Sequence, residues 1–217
     1  MQIVLRDVSK KYKDKAVLTG VNLKIPENGF IMLKGESGAG KTTLLNIIGG
    51  IEQPSSGTVL VDGKDLKTLS SRERDEFYRH KIGFIYQGFY LQPDLTIREN
   101  IELPGVFARM SRKERYQRAE AVARQLGIEG VLDSRPAEVS GGQIERTCIA
   151  RALFMRPEVI LADEPTNNLD DQNSKNALDI LVKLQRELHV TVIISSHNPI
   201  VEDYAEQIFE VKEGKLL

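Results

Sequence analysis

Cysteine occurs once in 217 residues, at Cys148, so no internal disulfide can form and the chain fits a reducing cytoplasm. Long apolar runs are missing as well. No stretch approaches the roughly 18 residues needed to span a bilayer, so direct bilayer insertion is not expected. The first twenty residues carry Arg6, Asp7, Lys10, Lys11, Lys13, Asp14 and Lys15, which leaves no room for the apolar centre of a signal peptide. Any membrane role is therefore expected to be borrowed from a partner. Neither sign of charge dominates: 30 Lys and Arg against 31 Asp and Glu give a net charge of −1. No bulk field draws the chain toward nucleic acid, and none is expected as a partner. Repeats, low-complexity tracts and interdomain linkers are absent too. With 41% apolar residues, positions 1–217 read as a single domain with room for a subdomain.

Against this plain background stands Gly35-Glu36-Ser37-Gly38-Ala39-Gly40-Lys41-Thr42, with Thr43 after it. It follows the apolar Phe30-Ile31-Met32-Leu33 and opens into Leu44-Leu45-Asn46-Ile47-Ile48, so it lies between a strand and a helix. Glycines let successive N–H groups turn inward around phosphate oxygens, and the helix presents its positive N-terminus to them. Lys41 can reach the β- and γ-phosphates, and the Thr42 hydroxyl can ligate Mg²⁺. The other reading is a glycine-rich turn that binds nothing, and the flanking strand and helix argue against it. The pattern predicts a site for a nucleoside triphosphate.

The N-terminal part reads as β-rich, with strands at Gln2–Arg6, Val21–Ile25, Phe30–Leu33 and Thr58–Val61 and turns at Pro26–Gly29 and Asp62-Gly63. Lys81 to Tyr86 is a further strand. Residues from about 96 to 155 read as mainly helical, with Tyr116, Ala119, Val122, Ala123 and Leu126 as an apolar stripe. Arg109, Arg112, Lys113, Arg115, Arg118 and Arg124 resemble a basic patch, but Glu114–Arg118 and Glu120–Arg124 are i,i+4 pairs that favour a solvated face. The last third alternates: a strand at Glu158–Ala162, a helix near 171–188, a strand at Val190–Ile194, a short helix near Pro199–Tyr204 and a strand at Ile208–Val211. Continuous apolar strands between helices imply a parallel sheet covered on both faces, with ligands beyond the carboxyl ends of its strands.

At such an end lies Asp163-Glu164, after Val159-Ile160-Leu161-Ala162. Asp163 can hold Mg²⁺ bridging the phosphates. Extended-chain alternation sends Glu164 to the opposite side, toward an attacking water, as general base.

Ser140-Gly141-Gly142-Gln143 precedes a helix containing Arg146, Ile149, Ala150, Arg151, Ala152 and Leu153. With the motifs above in order, this chain resembles the ATP-binding cassette (ABC) ATPases along essentially its whole length. The resemblance implies an α/β P-loop fold: a mainly parallel core sheet, an N-terminal antiparallel β subdomain and an inserted helical subdomain. It divides the chain into 1–87 with 156–217, and 88–155. It also implies ATP and Mg²⁺ as ligands, and a second copy of the chain whose γ-phosphate is contacted by Ser140 and Gly142. Gln87 resembles the glutamine that senses Mg²⁺ and the attacking water; Asn168-Leu169-Asp170 resembles the loop that crosses the dimer seam. His197 resembles the switch histidine that contacts the γ-phosphate. Tyr12 resembles the aromatic that stacks on adenine, with a surface tyrosine as the lesser alternative.

Leu44 to Gly50, Ile82 to Gln87 and Asn100 to Pro104 resemble one branch, that of the lipoprotein-release, macrolide-export, antimicrobial-peptide-resistance and cell-division ATPases. That branch implies a membrane permease with a large extracytoplasmic domain, which would hold the chain on the inner face of the cell membrane. Phe89, Tyr90, Leu91, Leu95 and Ile97 supply either its docking surface or simply core. The runner-up is a soluble cassette ATPase acting on ribosomes, DNA or cluster assembly; the single cassette and the lack of a sustained heptad run count against it. Val139, Ile144-Glu145, Asn167 and Asn198 depart from the usual family pattern without removing a catalytic group.

Overall fold

The computed structural model describes every residue except Phe89 and Asn168. Two sheets organise the chain. The first is antiparallel, built from β1 (Ile3–Tyr12), β2 (Lys15–Ile25), β4 (Ser56–Val61) and β5 (Lys64–Asp65) in the order β2-β1-β4-β5. Alternation alone would turn Asp7 inward after Ile3 and Leu5. A register shift between Leu5 and Val8, with Asp7 at φ 51°, instead restores Val8 to the buried face.

The second sheet has six strands: β3 (Phe30–Lys34), β6 (Ile82–Ile85), β7 (Val159–Asp163), β8 (Thr191–Ser196), β9 (Gln207–Lys212) and β10 (Lys215–Leu216). Their order is β10-β9-β3-β8-β7-β6, parallel throughout except for the β9–β10 hairpin. All of β7 and β8 is buried, because both faces of this sheet are covered. Phe30, Met32, Ile160 and Ile194 enter one apolar core. Ile31, Leu33, Leu161 and Ile193, one residue out of phase, enter a second core with the antiparallel sheet. The sheet is therefore the wall between two cores, and the expected fold class holds.

Among the described residues six α-helices complete the fold: α1 (Lys41–Ile48), α2 (Ser71–Glu76), α3 (Ile97–Phe107), α4 (Arg112–Gln125), α5 (Gly141–Leu153) and α6 (Asp171–Leu188). α1 buries Leu44, Leu45, Ile47 and Ile48 in the second core; α6 turns Leu178, Leu181 and Leu184 toward the first. The expected helical stretch is α3 to α5. Its stripe is buried at Ala119, Ala123 and Leu126, whereas Tyr116 is exposed, its ring centre 3.8 Å from the Arg98 guanidinium. Arg118 and Arg124 pair with Glu114 and Glu120 on a solvated face, but Arg115 turns in to donate to the Met110 carbonyl at 2.8 Å.

Gly83 on β6 sets the place of α5. A Cβ there would stand 2.4 Å from the Ala152 carbonyl oxygen, so the helix backbone touches the strand as only glycine permits. Strand β6 ends at Ile85, one residue earlier than expected.

Candidate active site

β3 delivers the chain into the glycine-rich turn, and Gly40 at φ 105° opens α1. No side chain caps that helix, so the N–H groups of its first turn remain donors for an anion. Gly35 has no room for a side chain, since a Cβ would lie 2.3 Å from the Val211 carbonyl oxygen. Lys41 is 5% exposed. Its ammonium donates to the carbonyls of Gly35 at 2.7 Å and Glu36 at 3.0 Å, and lies 3.1 Å from Glu164 Oε1.

The Thr42 hydroxyl donates to Asp163 Oδ1 at 3.0 Å, and the Ser195 hydroxyl donates to the same oxygen. A hydroxyl and a carboxylate oxygen meeting in this way form the hard-oxygen pair that suits Mg²⁺, which takes few protein ligands beside phosphates and water. Among the described residues no three His, Cys, Asp or Glu side chains gather as a metal site of their own. Ser195 was not singled out from the sequence; it adjoins Asp163 because β7 and β8 pair in parallel, with Asp163 opposite Ser195.

Glu164 corrects the alternation argument. The strand ends at Asp163, and Glu164 sits at φ 45°, outside the extended region. Its N–H donates to the Ser195 carbonyl at 3.0 Å. The side chain therefore turns into the cleft over the glycine-rich loop, where His197 Nδ1 lies 3.0 Å from both carboxylate oxygens.

Tyr12, Ser37, Gly38, Gly40, Lys41, Thr42, Thr43, Gln87, Glu164 and His197 line one open cleft of about 270 Å³. Asn167, noted in the sequence only as a departure, lines it too. Gly35, Glu36 and Ala39 belong to the loop without lining that cleft, and Asp163 is buried beneath it. The Tyr12 hydroxyl donates to Glu52, a partner that the sequence did not reveal.

The remaining expected site residues lie elsewhere. Ser140 caps α5, accepting from the Gln143 N–H at 3.4 Å while Gln143 Oε1 accepts from the Ser140 N–H at 2.9 Å. Gly141 and Gly142 face open space. None of the four lines the cleft. Asp170 caps α6, accepting from Asn173 N at 2.8 Å. Asn168, expected beside it, lies outside the described residues, as does Phe89. Of the possible docking residues, Ile97 is core, Leu91 and Leu95 are half-buried, and Tyr90 is exposed. Exposed Val106 and Phe107 at the end of α3 were not anticipated.

Glu145 on α5 is 7% exposed with Oε1 unpartnered, and burial pushes it up to about 7 against a smaller pull from Arg146. No helix among the described residues is long and apolar enough to cross a membrane.

Comparison with known proteins adds to this geometry. A family model described as "ABC transporter" matches residues 18–167. The macrolide export ATP-binding/permease protein MacB of Campylobacter jejuni is 41% identical over 215 residues, covering 99% of this chain and 33% of that protein. The chain thus spans about a third of the length of these macrolide-export relatives. The ABC transporter ATP-binding protein YxdL of Bacillus subtilis is 39% identical, covering 98% of this chain and 84% of that protein. Among solved structures, the dimeric ATP-binding cassette MJ0796 bound to ADP and phosphate superposes with a TM-score of 0.87. It is 38% identical, covering 99% of this chain and 96% of that one.

Proposed function

The chain belongs to the ABC transporter family and is an ATP-binding, ATP-hydrolysing cassette, and from that premise we propose that it powers a separate membrane permease as a dimer closed around two ATP molecules. The observation that carries this reading is the meeting of Lys41, Thr42, Asp163, Glu164 and His197 over one glycine-rich loop. Five side chains from three separate stretches of sequence converge there on the place where a terminal phosphate would lie.

Each residue then has a role. The N–H groups of Gly35 to Thr43 hold the phosphates, and Lys41 gives its three donors to them in place of the loop carbonyls. Thr42, Asp163 and Gln87 would hold Mg²⁺, which supplies charge neutralisation between the β- and γ-phosphates. Glu164 takes the proton of the attacking water, while His197 orients that carboxylate and reaches for the γ-phosphate. Tyr12 stacks on adenine. Ser140, Gly141, Gly142 and Gln143 close on the nucleotide of the second copy, whose seam Asp170 also lines. The open space around both glycines supports an approach from outside the chain.

In this reading 88–155 is the helical unit, and 1–87 with 156–217 forms the catalytic core. The permease carries a large extracytoplasmic domain and holds the cassette at the inner face of the membrane. The names of the relatives favour this over a soluble cassette acting on ribosomes, DNA or cluster assembly.

Two measurements test it. Phosphate release from ATP should require Mg²⁺ and vanish with chelator. Affinity capture from detergent-solubilised cells should bring down a polytopic protein with a large extracytoplasmic domain. Ribosomal, DNA-bound or scaffold proteins in its place, with no permease, would overturn the transporter assignment.

A further inference from the structure

We propose that Glu52 is a positioning residue that fixes the Tyr12 ring for the nucleotide base; this rests on the reading of Tyr12 as the adenine platform.

Tyr12 ends β1 and Glu52 lies four residues beyond α1, 40 positions away in sequence. The phenol donates to Glu52 Oε2, while Lys10 holds the other carboxylate oxygen at 2.9 Å. The same ammonium donates to the Gln53 carbonyl at 2.7 Å and lies 5.0 Å from the centre of the Tyr12 ring. Glu52 thus clamps Tyr12 and Lys10 together, on side chains only 21% (Glu52) and 14% (Lys10) exposed. Burial raises the Glu52 carboxyl, but its bonds to Tyr12 and Lys10 outweigh that and leave it below the ordinary value, hence ionised at neutral pH.

Backbone bonds fix the clamp to α1. The Glu52 N–H donates to the Asn46 carbonyl at 3.2 Å, inside the helix. Nearby, the Ser55 N–H donates to Ser9 O at 2.8 Å, and the Lys11 N–H to Ser55 Oγ at 3.0 Å. The first turn of α1 therefore presents its N–H groups to phosphate, while the segment after the helix holds the aromatic ring of the same cleft through Glu52. An exposed tyrosine on a strand end would otherwise sample several rotamers, and ordering it on binding would weaken the stacking gain.

The test compares binding of Mg·ATP and of inorganic triphosphate, by calorimetry, in the parent chain, Glu52→Ala, Tyr12→Ala and the double variant. Triphosphate has no base, so it reports the loop alone. The expected result is that Glu52→Ala weakens ATP about five- to tenfold while triphosphate changes less than about twofold. Tyr12→Ala should weaken ATP at least as much, and adding Glu52→Ala to it should change little, because both act through one ring. If ATP and triphosphate weaken together, Glu52 only supports the fold and the inference fails. Independent, multiplying losses overturn it as well. If Tyr12→Ala leaves ATP affinity unchanged, the platform reading itself is wrong, and that result is distinct from the others. Should Glu52→Ala not fold, the isosteric Glu52→Gln is read in the same way, with a loss of about threefold expected from the weaker neutral acceptor.

Discussion

Glu164 Oε1 lies 3.1 Å from the Lys41 ammonium, and the two side chains are 10% and 5% exposed. The proposed base and the proposed phosphate-binding cation are thus a nearly buried ion pair, shared with His197. Glu164→Gln keeps the shape and an acceptor for Lys41 but cannot take a proton. Steady-state phosphate release should fall at least about 100-fold while ATP binding persists and a dimer accumulates on gel filtration. Hydrolysis at the parental rate would remove Glu164 from the base role.

Lys41→Ala should abolish measurable ATP binding in a calorimetric titration. It also strands the Glu164 carboxylate, since among the described residues His197 alone remains paired with it. Breaking a buried pair from one side costs about 3–5 kcal/mol, and His197 places this case near the lower end. Lys41→Ala/Glu164→Gln should therefore melt above Lys41→Ala alone. Equal melting temperatures would show that the pair is not coupled in the fold.

Glu145 makes stability depend on pH. Its folded carboxyl titrates at about 7 against 4.5 when free, because burial disfavours the charged form. The folded state therefore holds more protons between those values, and stability is lost as pH rises through about 7. Below about pH 4.5 the contribution is complete. Glu145→Gln should raise stability at pH 8 by on the order of 2 kcal/mol, seen as a higher melting temperature, and do little near pH 4.5. The same gain at both pH values would mean that proton binding is not the cause.

Gly83→Ala should destabilise by about 1–3 kcal/mol, because its Cβ would meet backbone at 2.4 Å rather than a side chain that can swing aside. Gly130→Ala, with nothing within 4 Å of the added carbon, is the control and should be close to neutral. Urea denaturation of both checks the contrast; similar midpoints would show that β6 and α5 can separate.

What the sequence made legible was whatever depends on local backbone chemistry. The glycine-rich loop, the carboxylate closing an apolar strand and the Ser140–Gln143 run before a helix all report structure within a few residues. Glu164 was misread because strand alternation was carried one residue past the strand, where φ turns positive. The segment 71–80 drew no expectation: only Phe77 among its residues is buried, so α2 carries no apolar stripe, although Ser70 and Glu73 spell its capping box. Ser195 and Glu52 were invisible for another reason. Their partners are set by sheet pairing and by a contact across 40 positions, neither of which leaves a periodic trace.

The contact between Gly83 and the Ala152 carbonyl has a mechanical reading. It pins the C-terminal end of α5 to the sheet, whereas Ser140, Gly141 and Gly142 at the other end stand free. Ser140 lies about 18 Å along the axis from Ala152, so a tilt of about 10° would carry it about 3 Å, the length of one hydrogen bond. A spin-label pair bridging the sheet and the start of α5 would read that swing on adding nucleotide. Held to the sheet beside Ala152, α5 would pass a small tilt on to its exposed first residues as contacts made or broken there.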